Sequence, residues 1–220
     1  VIFLHGYGGT GDDDSFGLAE LAQREGFIFS APNALPDANG MAEWQPSDVT
    51  FLARLIAMSG TDARRVYLVG FSLGAVMALD FACKMPSLAN AVVSISGTRF
   101  LPMLPCAKRG SVSTLLIHGD ADEAIRYAGG IGSRTKRRYL SAMDTAKAVA
   151  RTEGCLGGLR SYPDRSVGAA QVHVMKGVEC RNSARVELWT VPGGKHEGIR
   201  DPEFTSSLWS FLDRPNPMQR

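Results

Sequence analysis

The sequence predicts an α/β protein: a mostly parallel sheet with helices on both faces. Three observations carry that prediction. Short β-rich runs alternate with helix-like stretches. Four of the runs, VIFLHG, VYLVGFS, VVSISG and TLLIHG, are near-continuously apolar, as strands covered on both faces must be. Each of those four ends in Gly or Ser, where a chain leaving a sheet needs a turn. With 220 residues, 45% apolar and 21% charged, the chain can bury one full-sized core, so a single domain over 1–220 is expected.

Taken in order, VIFLHG is the first strand, a helix follows near 16–25, and FIFSAP is the next strand. A second helix near 48–58 leads into VYLVGFS, whose serine is followed by a run spaced like a helix. VVSISG and TLLIHG are the next two strands. From 127 to 168 the pattern loosens, with one helix expected at 141–152 and then a Gly-, Pro- and Arg-rich stretch. That segment is predicted to be an insertion facing substrate. Order returns with a strand at 186–191, the loop PGGKHEG, and an amphipathic helix at about 202–212. There is no internal repeat and no low-complexity tract.

Charge and cysteine usage narrow the function. A net charge of +2 gives no general attraction for polyanions, so no nucleic-acid partner is expected. The basic run from Arg134 to Arg138, broken by Thr135, reads as a solvated segment. No stretch reaches the roughly 18 apolar residues of a membrane span, and no signal peptide is visible. Because VIFLHG is already a strand, the chain is expected to begin inside a longer precursor. Cys83, Cys106, Cys155 and Cys180 lack the close pairs of zinc or thioredoxin sites, which leaves two disulfides or four buried thiols. No metal or organic cofactor is expected.

Gly70-Phe71-Ser72-Leu73-Gly74 fits G-x-S-x-G and sits between a strand and a helix. Glycines on both sides allow a turn tight enough to lift the Ser72 hydroxyl above the sheet. The helix that follows aims its first amides at whatever Ser72 attacks.

A serine hydroxyl needs a base, and the chain has four histidines. His5 and His118 each precede a glycine at a strand end and are expected to order their own loops, and His173 in QVHVM alternates as an exposed strand residue. His196, in the Gly-rich PGGKHEG loop after a late strand, can swing over the sheet edge and is the predicted base. Its orienting carboxylate is sought in TLLIHGDADEAIRY, where Asp120, Asp122 and Glu123 all qualify by chemistry. Asp122 lies deeper in the loop, ahead of Ile125 and Tyr127, which can pin the loop. Either aspartate can instead form a turn or cap a helix. The order Ser, Asp, His is that of α/β-hydrolases. At His5-Gly6-Tyr7-Gly8-Gly9, glycines let a backbone N–H point inward, so the Tyr7 and Leu73 amides are the expected oxyanion donors. Tyr7 and Trp44 are candidates to line an aromatic-friendly substrate cleft, or else are packing.

With these residues in place, the chain resembles the esterases that include polyhydroxybutyrate depolymerases and feruloyl or acetylxylan esterases. The resemblance spans nearly the whole chain: HGYGGTGDD resembles the family's HGCGG loop, and LAQREGFIFSAPNA its second strand. DARRVYLVGFSLGA resembles its D-x-x-R-V-Y-x-x-G-x-S segment, and IHGDADEAIRY its HG-x-x-D-x-x-V-x-Y acid loop. It implies an α/β-hydrolase fold lacking the usual N-terminal antiparallel strands, with the acid on Asp122 and the base on His196. It also implies a disulfide between Cys155 and Cys180, and cysteines in corresponding places at Cys83 and Cys106. PGGKHEGI departs from the family's GGGH followed by tryptophan and proline, and the tryptophan expected before TEGC is absent. Both departures fall near the substrate pocket, so the family's substrate does not carry over.

The expected function is therefore a serine carboxylesterase acting on small acyl or hydroxycinnamoyl esters, free or polymer-linked, through an acyl-enzyme. A polyester depolymerase, an acyltransferase or a peptidase can use the same triad, and a binding module would keep the fold while losing part of it. An α/β enzyme of this size carries disulfides mainly if exported, so a secreted or periplasmic location is expected.

Overall fold

The computed structural model describes residues 1–103, 105–107 and 110–214. Its main sheet has seven strands in the order β1-β2-β3-β4-β9-β8-β7. They are β1 (Ile2–Leu4), β2 (Tyr67–Phe71), β3 (Ala91–Ile95), β4 (Ser113–Gly119), β7 (Leu159–Val167), β8 (Ala170–Gly177) and β9 (Val186–Val191). β1, β2, β3, β4 and β9 pair in parallel, and β8 and β7 complete one edge antiparallel. A separate two-stranded ribbon joins β5 (Gly130–Ile131) to β6 (Arg138–Tyr139).

Side-chain alternation along the strands sends two apolar sets to opposite faces. Ile2, Leu4, Leu68 and Val92 face α2 (Asp48–Ser59) and α3 (Leu73–Lys84), while Leu116 and Leu188 face α4 (Ala142–Thr152). Phe3, Val69, Val93, Ile117 and Trp189 face α1 (Leu18–Glu25) and α5 (Pro202–Leu212). Both faces of the central strands are thus covered, which accounts for their continuous apolar sequence. α3 is buried nearly all round, from Leu73 to Phe81, so it is the helix most closely held against the sheet.

Two expectations change. FIFSAP forms only a single parallel bridge, Ile2 to Ser30, because β1 offers it three residues of edge. The stretch expected to be loose up to Gly168 contains β7, LRSYPDRSV, exposed along almost its whole length as an edge strand paired on one side only. The ribbon of β5 and β6 falls in the same stretch, and residues 132–135 between its strands border the cleft described below. The cysteines pair as Cys83–Cys106 and Cys155–Cys180.

Parallel pairing brings the carboxyl ends of β1, β2, β4 and β9 to one edge of the sheet. In open α/β sheets the loops at that edge form the binding crevice. Here they carry Tyr7, Ser72, Asp122 and His196.

Candidate active site

Ser72 occupies the turn between β2 and α3 with φ 53° and ψ −117°, a conformation that a residue with a side chain adopts only under constraint. The constraint is packing. A Cβ on Gly70 would overlap the Gly74 carbonyl, one on Gly74 would overlap the Leu4 carbonyl, and one on Gly97 would overlap the Ala75 methyl. These absent side chains let β1, β2 and α3 close on one another. The Ser72 N–H donates to the Ile95 carbonyl at 2.9 Å and fixes the turn to β3. The hydroxyl is left on the wall of a cleft of about 300 Å³.

Across that cleft the Ser72 hydroxyl donates to His196 Nε2 at 2.9 Å, and His196 Nδ1–H donates to Asp122 Oδ2 at 2.8 Å. The Phe71 ring lies against the imidazole, 5.2 Å between centroids, and the His196 side chain remains 25% exposed on the cleft side. Asp122 is 3% exposed. Its Oδ1 accepts from the Ala124 and Ile125 N–H groups, both at 2.9 Å, so the loop after β4 is wound around the carboxylate. Burial pushes this carboxyl up. The hydrogen bonds from His196 and Ile125, with the imidazoles nearby, outweigh it and hold the group below the usual carboxylate range.

Asp120 takes a different place. It is exposed, and its Oδ1 accepts from the Gly193 N–H at 2.7 Å, tying the acid loop to the histidine loop. Glu123 is also exposed. Of the three carboxylates open by chemistry, Asp122 alone meets His196.

The other histidines are accounted for. His118 is buried beneath Asp122, with Nε2 at 3.4 Å from Oδ2, and its Nε2–H donates to the Ile125 carbonyl at 2.6 Å. Burial lowers its pKa, and the Ile125 carbonyl and the Asp122 carboxylate oppose that shift without cancelling it. His5 donates from Nδ1 to the Gly6 carbonyl at 2.7 Å and accepts from the Ala34 N–H at 3.1 Å, which shapes the loop after β1. His173 is exposed on β8 and pairs with Asp164 at 2.8 Å.

Tyr7 and Leu73 both line the cleft beside Ser72. Leu73 is the first residue of α3, where an amide has no intrahelical acceptor. Neither amide donates to another group among the described residues, while neighbouring Gly8 and Gly9 donate to the Ala42 and Gly6 carbonyls. The cleft therefore holds a hydroxyl, a base and two backbone donors, which is the equipment for attack on a carbonyl carbon with charge developing on its oxygen.

Trp44 requires a correction: it does not line the cleft. Its indole is buried, 4% exposed, packs on His5 and donates to the His5 carbonyl at 2.9 Å, so it braces the loop from behind. Residues not foreseen in the cleft are Phe71, Val76 and Phe100, while residues 132–135 belong to the segment expected to face substrate. Phe71 carried a signal, since the residue before the serine in G-x-S-x-G must lie beside whatever meets that serine. Among the described residues no cluster of three or more His, Cys, Asp or Glu is arranged to hold a metal, and no helix is long and apolar enough to cross a membrane.

A model of the alpha/beta hydrolase family matches residues 1–207. NocK of Nocardia uniformis subsp. tsuyamanensis, a protein named as an esterase, is 28% identical over 223 residues, covering 89% of this chain. The chain spans 64% of the length of that relative. Acyl-protein thioesterase 1 of Saccharomyces cerevisiae is 28% identical over 177 residues, covering 66% of this chain and 78% of that protein. Among solved structures, the acetyl xylan esterase from Aspergillus awamori shares the fold, with a TM-score of 0.63 at 15% identity over 96% of this chain and 88% of that one.

Proposed function

Since the chain belongs to the alpha/beta hydrolase family, we propose that it is a serine carboxylesterase that cleaves small acyl or hydroxycinnamoyl esters through an acyl-enzyme. The observation that carries the proposal is the continuous relay from Ser72 through His196 to buried Asp122, at 2.9 and 2.8 Å, on the wall of an open cleft.

In this reading Ser72 Oγ attacks the ester carbonyl carbon while His196 Nε2 takes its proton. The imidazolium so formed is stabilised by the Asp122 carboxylate. Negative charge moves to the carbonyl oxygen and is met by the Tyr7 and Leu73 N–H groups, each worth about 3 kcal/mol to a well-placed oxyanion. Collapse expels the alcohol, which receives the proton from His196 and leaves the acyl group on Ser72. Water then repeats the sequence with His196 as base, and Ser72 is restored. No step calls on a metal or cofactor.

Cleft size supports small esters: about 300 Å³ accepts a short acyl chain or one aromatic ring. A panel of p-nitrophenyl acetate, methyl ferulate, a hydroxybutyrate dimer, an acetyl thioester and trioctanoin tests the reading. The first two are expected to turn over faster than trioctanoin, and the reverse order rules out the small-ester assignment. The thioester arm covers the chemistry named by the yeast relative. The two disulfides support an exported protein. Alkylation without reductant followed by intact mass is expected to add nothing, and four alkyl groups would remove that support.

A further inference from the structure

The segment running through the ribbon turn into β6 carries four cations within five residues, Arg134, Lys136, Arg137 and Arg138. From sequence it reads as solvated. The fold instead places it on the rim of the cleft, where Arg134 and Thr135 share the lining with Ser72 and His196. None of the four cations makes an ion pair among the described residues.

Two of them are held in place by aromatic rings of the cleft itself. The Arg134 guanidinium carbon lies 5.0 Å from the centroid of the Tyr7 ring, and that of Arg137 lies 4.3 Å from the Phe100 centroid. Both rings line the cleft. A guanidinium laid on a ring is attracted by the ring's quadrupole and desolvated on one side. Arg134 also hydrogen-bonds the Tyr7 side chain, but a guanidinium carries five N–H donors in a fixed fork, so donors remain for a carboxylate, which such a fork receives in two parallel hydrogen bonds. The nearby carboxylates are already engaged. Asp37 accepts from the Tyr7 hydroxyl at 2.8 Å and from the Asn39 and Met41 N–H groups at 2.8 and 3.0 Å. Asp80 faces Arg99 in the interior at 3.7 Å and also feels the Arg137 charge, which leaves Arg134 as the cation without a carboxylate partner among the described residues.

We propose that this rim is a carboxylate-binding subsite, and that the preferred substrates are esters bearing a second, ionised carboxyl group away from the scissile bond. The proposal rests on the esterase reading above. An apolar floor holds the body of the ester next to Ser72, and Arg134 on the cleft wall holds its anionic end, with Arg137 behind it on the Phe100 ring adding positive charge.

The test compares kcat/KM of the full chain, each value normalised to the ester's own alkaline hydrolysis, for two matched pairs. 4-Acetoxybenzoate against its methyl ester places the carboxylate on the alcohol side. Mono-p-nitrophenyl adipate against its methyl ester places it on the acyl side. In at least one pair the anionic ester is expected to be favoured about fivefold or more at low ionic strength, a preference that shrinks as salt screens the contact. Arg134→Gln and Arg137→Gln are each expected to lower the anionic-to-neutral ratio about threefold or more, with Arg134→Lys between, since it keeps the charge and loses the fork. If a variant fails to fold, the wild-type ratio and its salt dependence decide alone. Equal or preferred hydrolysis of both neutral esters overturns the subsite and leaves the esterase reading standing. A preference that neither salt nor the glutamine variants reduce overturns the assignment to these arginines. No hydrolysis of any of the four esters removes the esterase reading, and the subsite with it.

Discussion

Replacing Asp122 by asparagine isolates the charge of the relay from its shape. Oδ1 of Asp122 accepts from the Ala124 and Ile125 N–H groups at 2.9 Å each, and Oδ2 accepts from His196 Nδ1 at 2.8 Å. A carboxamide has one oxygen for these three donors. Turning its NH2 toward the backbone would leave two buried N–H groups facing a donor, at about 1–3 kcal/mol each, so the oxygen stays with the backbone. The NH2 then faces His196 and can only donate. Nδ1 must accept, the imidazole proton moves to Nε2, and the base presents a hydrogen to the Ser72 hydroxyl. The expected loss in kcat is about 10³- to 10⁴-fold, or about 4 to 5.5 kcal/mol of activation free energy. Hydrolysis of p-nitrophenyl acetate by purified protein reads the effect, with a thermal melt to show that the fold persists. Asp120→Asn is the control: among the described residues its exposed carboxylate accepts only from the Gly193 N–H, a bond the amide oxygen can also accept, so kcat should stay within about threefold. A kcat for Asp122→Asn within about tenfold of wild type, or a collapse in Asp120→Asn instead, would exclude Asp122 as the acid of the relay.

Two further perturbations act on the frame. Gly74→Ala drives a methyl group into the Leu4 carbonyl and must push α3 off β1, so a loss of about 3 kcal/mol or more and failure of activity with stability are expected in a melt; an unchanged melting temperature would contradict the packing argument. Glu153 is buried, and desolvation raises its pKa despite the Ser111 hydroxyl and Val112 N–H that donate to it at 2.6 and 3.3 Å. Its folded pKa exceeds its unfolded one, so its contribution is fully present below the ordinary carboxyl range and is lost as pH rises through the folded value. Glu153→Gln should flatten that decline in urea-unfolding midpoints, and an unaltered slope would assign the decline to other groups.

Much of this architecture is legible in sequence because burial on both faces writes continuous apolar runs, and because Gly70 and Gly74 stand where no Cβ fits. What burial does not write is harder to read. β7 is polar on both faces, contains Pro163 and pairs on one side only, so LRSYPDRSV looks like a loop. FIFSAP looks like a full strand, yet its pairing depends on the length of β1, which its own residues do not encode. Trp44 reads alike as core or cleft, and its burial and its hydrogen bond to the His5 carbonyl separate the two. Asp120 and Asp122 are two residues apart with the same chemistry; the difference between an exposed turn and a 3% exposed partner for His196 lies in the loop's winding. Arg134 and Arg137 show the same limit, since a cation on a solvated loop and one stacked on a cleft ring have the same sequence.

The proposed chemistry requires that Ser72 become covalently substituted because His196 removes its proton. Treatment with a fluorophosphonate, followed by mapping of the adduct by peptide mass spectrometry, reads that substitution. One adduct per chain is predicted, on the peptide containing Ser72, with loss of esterase activity in proportion to labelling and labelling slowed by about 10³-fold or more in His196→Ala. An adduct on a different residue, or full labelling of Ser72 that leaves ester hydrolysis intact, would contradict the account.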